Sequence, residues 1–190
     1  MIAGINRGVA CTLPLSRAQA SALTAGDMVL LSGVLYTARD AAHKRFMALL
    51  DRGEALPFPL EGACIYYAGP APARDGQIIG SAGPTTSYRM DAYTPRLLEL
   101  GLRCMIGKGD RSDAVTAAMK KVSAVYFAAL GGAGALLASR VTSSETIAFP
   151  DLGAEAVRRL TVHDFPAVTA IDGRGNNLYT LGPERYAALG

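Results

Sequence analysis

Three times along this chain a short apolar run ends in a loop carrying basic or hydroxyl residues, and a helical pattern follows. The loops are "YTARDAAH" (36–43), "GPTTSYRMD" (83–91) and "GKGDRSD" (107–113). Apolar runs of this length that alternate with amphipathic segments predict a mixed α/β sheet. In such sheets ligands bind beyond the carboxyl ends of the strands, where loops and helix N-termini converge. The repeated unit therefore constrains both the architecture and the place where a site can form.

Around these loops the chain reads as follows. "DMVLLSGVLY" (27–36) predicts a buried strand. "RDAAHKRFMALLDRG" predicts a helix closed by Gly53, with Ala42, Phe46, Met47, Leu49 and Leu50 on one face. "LPFPLEG" is a proline-rich loop, "ACIYYAG" a second apolar strand, and "DGQIIGSAG" a turn with a further strand. A helix from Tyr88 to Leu100 ends at Gly101, and "RCMIG" is a short strand. "DAVTAAMKKV" is a helix whose terminal lysines suit its dipole, "AVYFAAL" a strand, and "GGAGALLASRV" leads into a small-residue helix. From Thr142 onward the pattern gives strands "TIAF", "RRLTVHDF" and "AVTAIDG", with a hairpin-like turn at "DGRGNN". The expectation is one α/β domain over 1–190, a mixed sheet with flanking helices.

Half of the residues are hydrophobic and 18% are charged, which excludes intrinsic disorder. The 19 basic and 16 acidic residues are scattered, with no run longer than Lys120–Lys121 or Arg158–Arg159. That balance argues against nucleic acid as a partner and suits a small acidic ligand. Cys11, Cys64 and Cys104 are widely spaced and form no C-x-x-C, so they read as buried free thiols in a reducing compartment. There is no basic segment leading into an apolar core at the start, and no apolar stretch of membrane length. A cytoplasmic protein without membrane contact is expected.

Arg39, Arg89, Lys108 and Arg111 lie in the three loops, where free N–H groups of helix N-termini would add to their charge. Together they would make a pocket for a ligand with more than one carboxylate, since the arginine fork meets a carboxylate through two bonds. The plainer reading is helix capping, by Thr85 or Thr86 and by Ser112 or Asp113. His43 follows Arg39 by one helical turn and is an acid–base candidate beside such a pocket, whereas His163 reads as structural. "GKGDRS" is not a phosphate loop, because Gly101 lies one residue too far back and Gly109 stands where the hydroxyl should be.

The segments "ARDAAHKR" (38–45), "GPTTSYRMD" (83–91), "GKGDRS" (107–112) and "FPDLGAEAVRRLTVHDFPAVTAIDGRGNNLY" (149–179) resemble the β subunit of the iron–sulfur class I hydro-lyases. That family comprises class I fumarate hydratases and L(+)-tartrate dehydratases, and the likeness runs from about Leu13 to Tyr179. It implies a swivelling β/β/α domain that closes over an α subunit, and a 4Fe-4S cluster carried by that partner on its own cysteines. It also implies a four-carbon dicarboxylate substrate, either fumarate and malate or tartrate and oxaloacetate. Carried over by motif, Arg39, Arg89 and Lys108 would bind substrate carboxylates and Thr85 would be the catalytic hydroxyl. His43 matches a histidine proposed as catalytic in some tartrate dehydratases. Ser87-Tyr88 stands where the fused fumarases more often read Ala-Gly. Homodimerisation is a further expectation. The alternative is a non-enzymatic dicarboxylate-binding module, which needs the basic loops but no cluster. A standalone hydrolase would need a nucleophile motif such as G-x-S-x-G, which is absent.

Overall fold

A computed structural model describes residues 8–129 and 132–187. In chain order its elements begin with β1 (Val9–Leu13), α1 (Arg17–Ala22), β2 (Met28–Thr37), α2 (Asp40–Asp51) and β3 (Cys64–Tyr66). There follow α3 (Thr94–Glu99), β4 (Cys104–Gly107), α4 (Asp113–Val122), β5 (Val125–Ala128) and α5 (Gly134–Ala138). The last are β6 (Val141–Ala148), β7 (Val157–Ile171) and α6 (Leu178–Ala187).

The short central strands are apolar at every position because both of their faces are buried. Cys64, Tyr66, Cys104, Ile106, Val125 and Phe127 share one cluster with Leu31, Leu35, Leu160 and Phe165. The alternate residues Ile65, Tyr67, Met105 and Tyr126 face a second cluster with Phe46, Leu97, Val115 and Met119 from α2, α3 and α4. Strands β1 to β5 are joined by parallel ladders, and β7 runs antiparallel to β2, β5 and β6. Because β7 pairs with both β2 and β5, the path β2–β3–β4–β5–β7 closes on itself. The result is the mixed α/β fold with a mixed sheet and flanking helices that the sequence predicts. No helix among the described residues is long and apolar enough to cross a membrane.

Several local expectations change. "DGQIIGSAG" forms no strand: it faces a segment containing Pro70 and Pro72, which lack the N–H groups a ladder needs, and only the Ala71 N–H to Ser81 carbonyl bond joins the two among the described residues. The helix expected over 88–100 is two pieces, a 3₁₀ turn (Ser87–Met90) and α3, because Pro95 is tolerated only in the first turn of a helix. "RRLTVHDF" and "AVTAIDG" are one 15-residue strand, β7, with a bulge at Asp164 (φ 49°) opposite Ser32. The strand expected at "TIAF" begins earlier, at Val141. The small-residue helix is the short α5; Leu130, the last residue of the expected strand, and Gly131, the first of the segment leading into the helix, lie outside the described residues. The sequence reading placed nothing at β1, α1 or α6. Gly33 (φ 123°) is required where β1 and β2 touch, since a Cβ there would overlap the Leu13 carbonyl.

The "DGRGNN" segment is the hairpin-like turn that the sequence predicts, closed by an antiparallel bridge between Ile171 and Asn177, and it leads into α6. It is organised by the fully buried Asp172, whose carboxylate accepts from the N–H groups of Ala25 (3.2 Å), Arg174 (2.9 Å) and Asn176 (3.1 Å) and from Asn176 Nδ2 (2.8 Å). Burial alone would raise its pKa, but these bonds outweigh it and hold the carboxyl below its ordinary value. Replacing Asp172 by Ala strands several buried donors. Urea denaturation should show a loss of about 2–3 kcal/mol, and no loss would mean the turn is held otherwise.

Candidate functional site

Parallel strands deliver their carboxyl ends to one edge, and two of the three loops begin there: 38–43 after β2 and 108–112 after β4. The third, 83–91, is inserted between them. Beyond the β3–β4 ladder, Pro84 bridges Ala68 and Thr86 bridges Lys108, so the extended residues 84–86 wedge between the two strand ends. Thr85 N–H donates to the Tyr67 carbonyl (2.7 Å) and Ser87 N–H to the Lys108 carbonyl (3.0 Å). Thr85 and Lys108 are thereby brought to the same edge, with Lys108 exposed and Thr85 half-buried.

Arg39 and Arg89, fifty positions apart, also meet here. Asp40, the first residue of α2, has Oδ1 2.8 Å from Arg89 Nε and Oδ2 3.8 Å from Arg39 Nη2. Glu155 lies 3.2 Å from Arg39 Nη2 and accepts from Ala41 N–H (3.2 Å), so it occupies the N-terminus of α2. The sequence reading left that helix end to a ligand. Instead the chain supplies its own carboxylate there, and of the two arginines Arg89 is the more exposed, at 45% against 23% for Arg39. Lys108 makes no ion pair among the described residues.

Arg111 is a correction of another kind. It is not a ligand-facing cation: its side chain is fully buried, with Nε donating to Asp91 Oδ1 (2.7 Å) and Nη2 to Thr94 Oγ1 (2.8 Å). Its guanidinium lies over the rings of Tyr67 (5.3 Å) and Tyr126 (5.2 Å). Burial disfavours its charge, yet Tyr67, Asp91 and Tyr126 outweigh that and keep its pKa above the ordinary value. Asp91 Oδ2 also accepts from Ser112 N–H (2.6 Å), which ties loop 83–91 to the start of α4. A second tie runs through buried Ser87. Its Oγ accepts from Lys108 N–H (3.1 Å) and donates to Tyr126 Oη (2.9 Å), which donates to the Gly109 carbonyl (2.8 Å). A Cβ on Gly107 would overlap Ser87 Oγ, so the close approach needs glycine. Ser112 caps α4, accepting from Val115 N–H (3.4 Å), as its position predicts. Thr86 stands before the 3₁₀ turn, but its hydroxyl makes no capping bond.

Asp40, Glu155, Asp91 and Tyr126 are residues that the sequence does not single out, and Ser87 stands out there only as a departure from Ala-Gly. Their partners are 15 to 116 positions away in the chain, apart from neighbouring Arg39, and no spacing rule connects them.

His43 lies within the core rather than at the edge. It has no exposed surface, its Nδ1 is 2.9 Å from the Arg39 carbonyl, and Phe46, Tyr67 and Tyr93 surround the ring. Burial pushes its pKa down to about 4, so it is neutral near pH 7, with Nε2 free of any partner among the described residues. The cysteines are free and buried on β1, β3 and β4, and Cys64 and Cys104 are register neighbours. Burial raises the Cys104 thiol well above its ordinary range, which disfavours the thiolate a metal needs. Among the described residues no cluster of histidine, cysteine and carboxylate is arranged to hold a metal, so these residues do not fit an iron–sulfur cluster.

With this geometry in view, similarity to known proteins can be weighed. A family profile described as "Fumarase C-terminus" matches residues 6–182. "Fumarate hydratase 2" of Leishmania major is 42% identical over 166 residues, which cover 86% of this chain and 29% of that protein. "Fumarate hydratase class I, aerobic" of Escherichia coli strain K12 is 40% identical over 164 residues, 85% of this chain and 30% of that one. "Putative L(+)-tartrate dehydratase subunit beta" of Methanocaldococcus jannaschii is 38% identical over 171 residues, 87% and 88% of the two chains. The chain thus spans less than a third of these two fumarate hydratases, and most of the tartrate dehydratase subunit.

The buried imidazole has a consequence for acid stability. The unfolded chain takes up a proton near pH 6.5, whereas folded His43 resists it down to about 4. Its contribution is fully present above pH 6.5 and is lost as the pH falls through that window, by up to on the order of 3 kcal/mol. Urea midpoints at pH 7, 5.5 and 4.5 should fall more steeply for the wild type than for His43→Gln. Parallel slopes would place the ring in contact with solvent.

Proposed function

The chain belongs to the Fumarase C-terminus family, and from that membership we propose that it is the β subunit of a hydro-lyase acting on a four-carbon dicarboxylate. Fumarate and malate are the first pair, tartrate and oxaloacetate the second. The observation that carries this reading is the convergence of Arg39 and Arg89 on one carboxylate, that of Asp40, beside Thr85 and Lys108. Two guanidinium groups that meet a carboxylate of the chain are built to meet one of a substrate. The non-enzymatic binding module is the weaker reading, because the matched relatives are named as hydratases and a dehydratase subunit.

The division of labour follows from what these residues can do. Arg39, Arg89 and Lys108 would bind and orient the diacid on an open edge, and a partner α subunit would cover that edge. We assign the 4Fe-4S cluster to that partner, because Cys11, Cys64 and Cys104 are closed within the core. Free buried thiols suit a reducing compartment, and we assign the chain to the cytoplasm. Hydration places a proton on one carbon of the double bond, and dehydration removes it. Of the two candidate proton carriers, Thr85 is at the edge and His43 is not, so Thr85 is the assigned group. A threonine hydroxyl can act this way only where its alkoxide is stabilised, and the neighbouring cations supply that field.

Anaerobic reconstitution with an α subunit, followed by assays with fumarate, L-malate and L-tartrate, tests the reading. Activity should require both chains. Thr85→Ala should lower kcat roughly 100- to 10,000-fold with assembly intact, and Thr85→Ser should recover part of it. Thr86→Ala should keep its turnover and lie within about 0.5 kcal/mol of wild-type stability, since its hydroxyl caps nothing. Arg39→Lys and Arg89→Lys should each lower kcat/KM roughly ten- to a hundredfold. Full turnover in Thr85→Ala, or near wild-type efficiency in both lysine variants, would remove those residues from the site.

A further inference from the structure

Asp40 makes contacts that a helix-terminal acid does not need. An acidic residue in the first turn of a helix is favourable by itself. Yet this side chain leans out to Arg89 Nε at 2.8 Å and leaves Oδ2 buried without a hydrogen bond, 3.8 Å from Arg39 Nη2. A buried acceptor left unpaired is a cost that helix formation would not call for. The ion pair on Arg89 is closest at Nε, and the terminal Nη1 and Nη2 make no hydrogen bond among the described residues, which leaves that fork to a ligand. Glu155 differs, because it pairs with a terminal nitrogen of Arg39, Nη2, while bonded to the Ala41 N–H.

We propose that Asp40 is a positioning residue: it holds Arg89 by its inner nitrogen and aims the terminal fork at the carboxylate of an incoming diacid. This rests on the functional reading given above. Arg89 is 45% exposed at its side chain, and a free arginine there would spread over many rotamers. Tethering it beforehand moves that ordering out of the binding step, so Asp40 acts on substrate affinity more than on turnover. The opposite arrangement, in which Asp40 is an internal competitor for the clamp, predicts the opposite sign, since its removal would then tighten binding.

The test uses the assembled two-subunit enzyme with fumarate, L-malate and L-tartrate as probes, comparing wild type, Asp40→Ala, Asp40→Asn, Arg89→Ala and the double variant Asp40→Ala/Arg89→Ala. Asp40→Ala should raise KM roughly three- to tenfold, with kcat changed much less. Asp40→Asn keeps the shape and an acceptor oxygen and should recover part of the loss. In the Arg89→Ala background the Asp40→Ala effect should vanish, because Asp40 acts through Arg89; a merely structural role would instead multiply with it. A KM that is unchanged or lowered in Asp40→Ala, or independent effects in the double variant, overturns the proposal while leaving the functional reading in place. A wild-type enzyme inert toward all three diacids overturns that reading, and the proposal with it.

Discussion

Strand β7 makes the pairing on which everything else depends. By lying antiparallel to both β2 and β5 it closes the path of the sheet and buries one face of the central strands, while α2, α3 and α4 cover the other. That accounts for apolar runs such as Cys64–Tyr66 and Cys104–Gly107, which could not stand on a half-exposed sheet. It also gathers the carboxyl ends of β2 and β4 at one edge and leaves a gap beyond β3 into which residues 84–86 fit. Chemistry-bearing loops are then placed by the rigid strands that feed them, as in other α/β sheets.

At that edge the chain handles its charges in two ways. Arg111 is drawn inward, where a fully desolvated guanidinium is supported by Asp91, Thr94 and two aromatic faces, and serves as an internal strut between two loops. Removing one partner of such a buried set leaves the other exposed to the full desolvation penalty, so the strut is rigid as well as strong. Arg89 is instead held by Asp40 with its side chain 45% exposed, and Arg39 by Glu155 with its side chain 23% exposed. The ion pairs at the rim add little to stability on their own. Their value is orientation: they hold Arg39 and Arg89 at the edge where we propose that a dianion binds.

Much of this was legible in the sequence, and the failures have identifiable causes. The helix "DAVTAAMKKV" with its Ser112 cap, the apolar strands and the three loops follow from patterns that are local in the chain. The sequence pattern divides β7 into two strands on either side of Pro166, yet Pro166 pairs with Leu30 in the ladder, and nothing local announces the bulge at Asp164. Arg89 and Lys108 could be singled out from their motifs, but the inward turn of Arg111 could not. Its direction is set by Asp91, Tyr67 and Tyr126, which come together only in the folded sheet. His43 shows the same limit: one helical turn from Arg39 is correct spacing, yet α2 packs that face onto Tyr67 and Phe46.

The central claim is that the cations of this edge hold the substrate of a two-subunit hydro-lyase. A crystal structure of the assembled enzyme with a bound dicarboxylate tests it most directly. The account predicts a ligand carboxylate within hydrogen-bonding distance of Arg39 and of the Arg89 terminal fork, with Lys108 and the Thr85 hydroxyl against the same molecule. A diacid held wholly by the partner subunit, with Arg39, Arg89 and Lys108 turned to solvent, would contradict it.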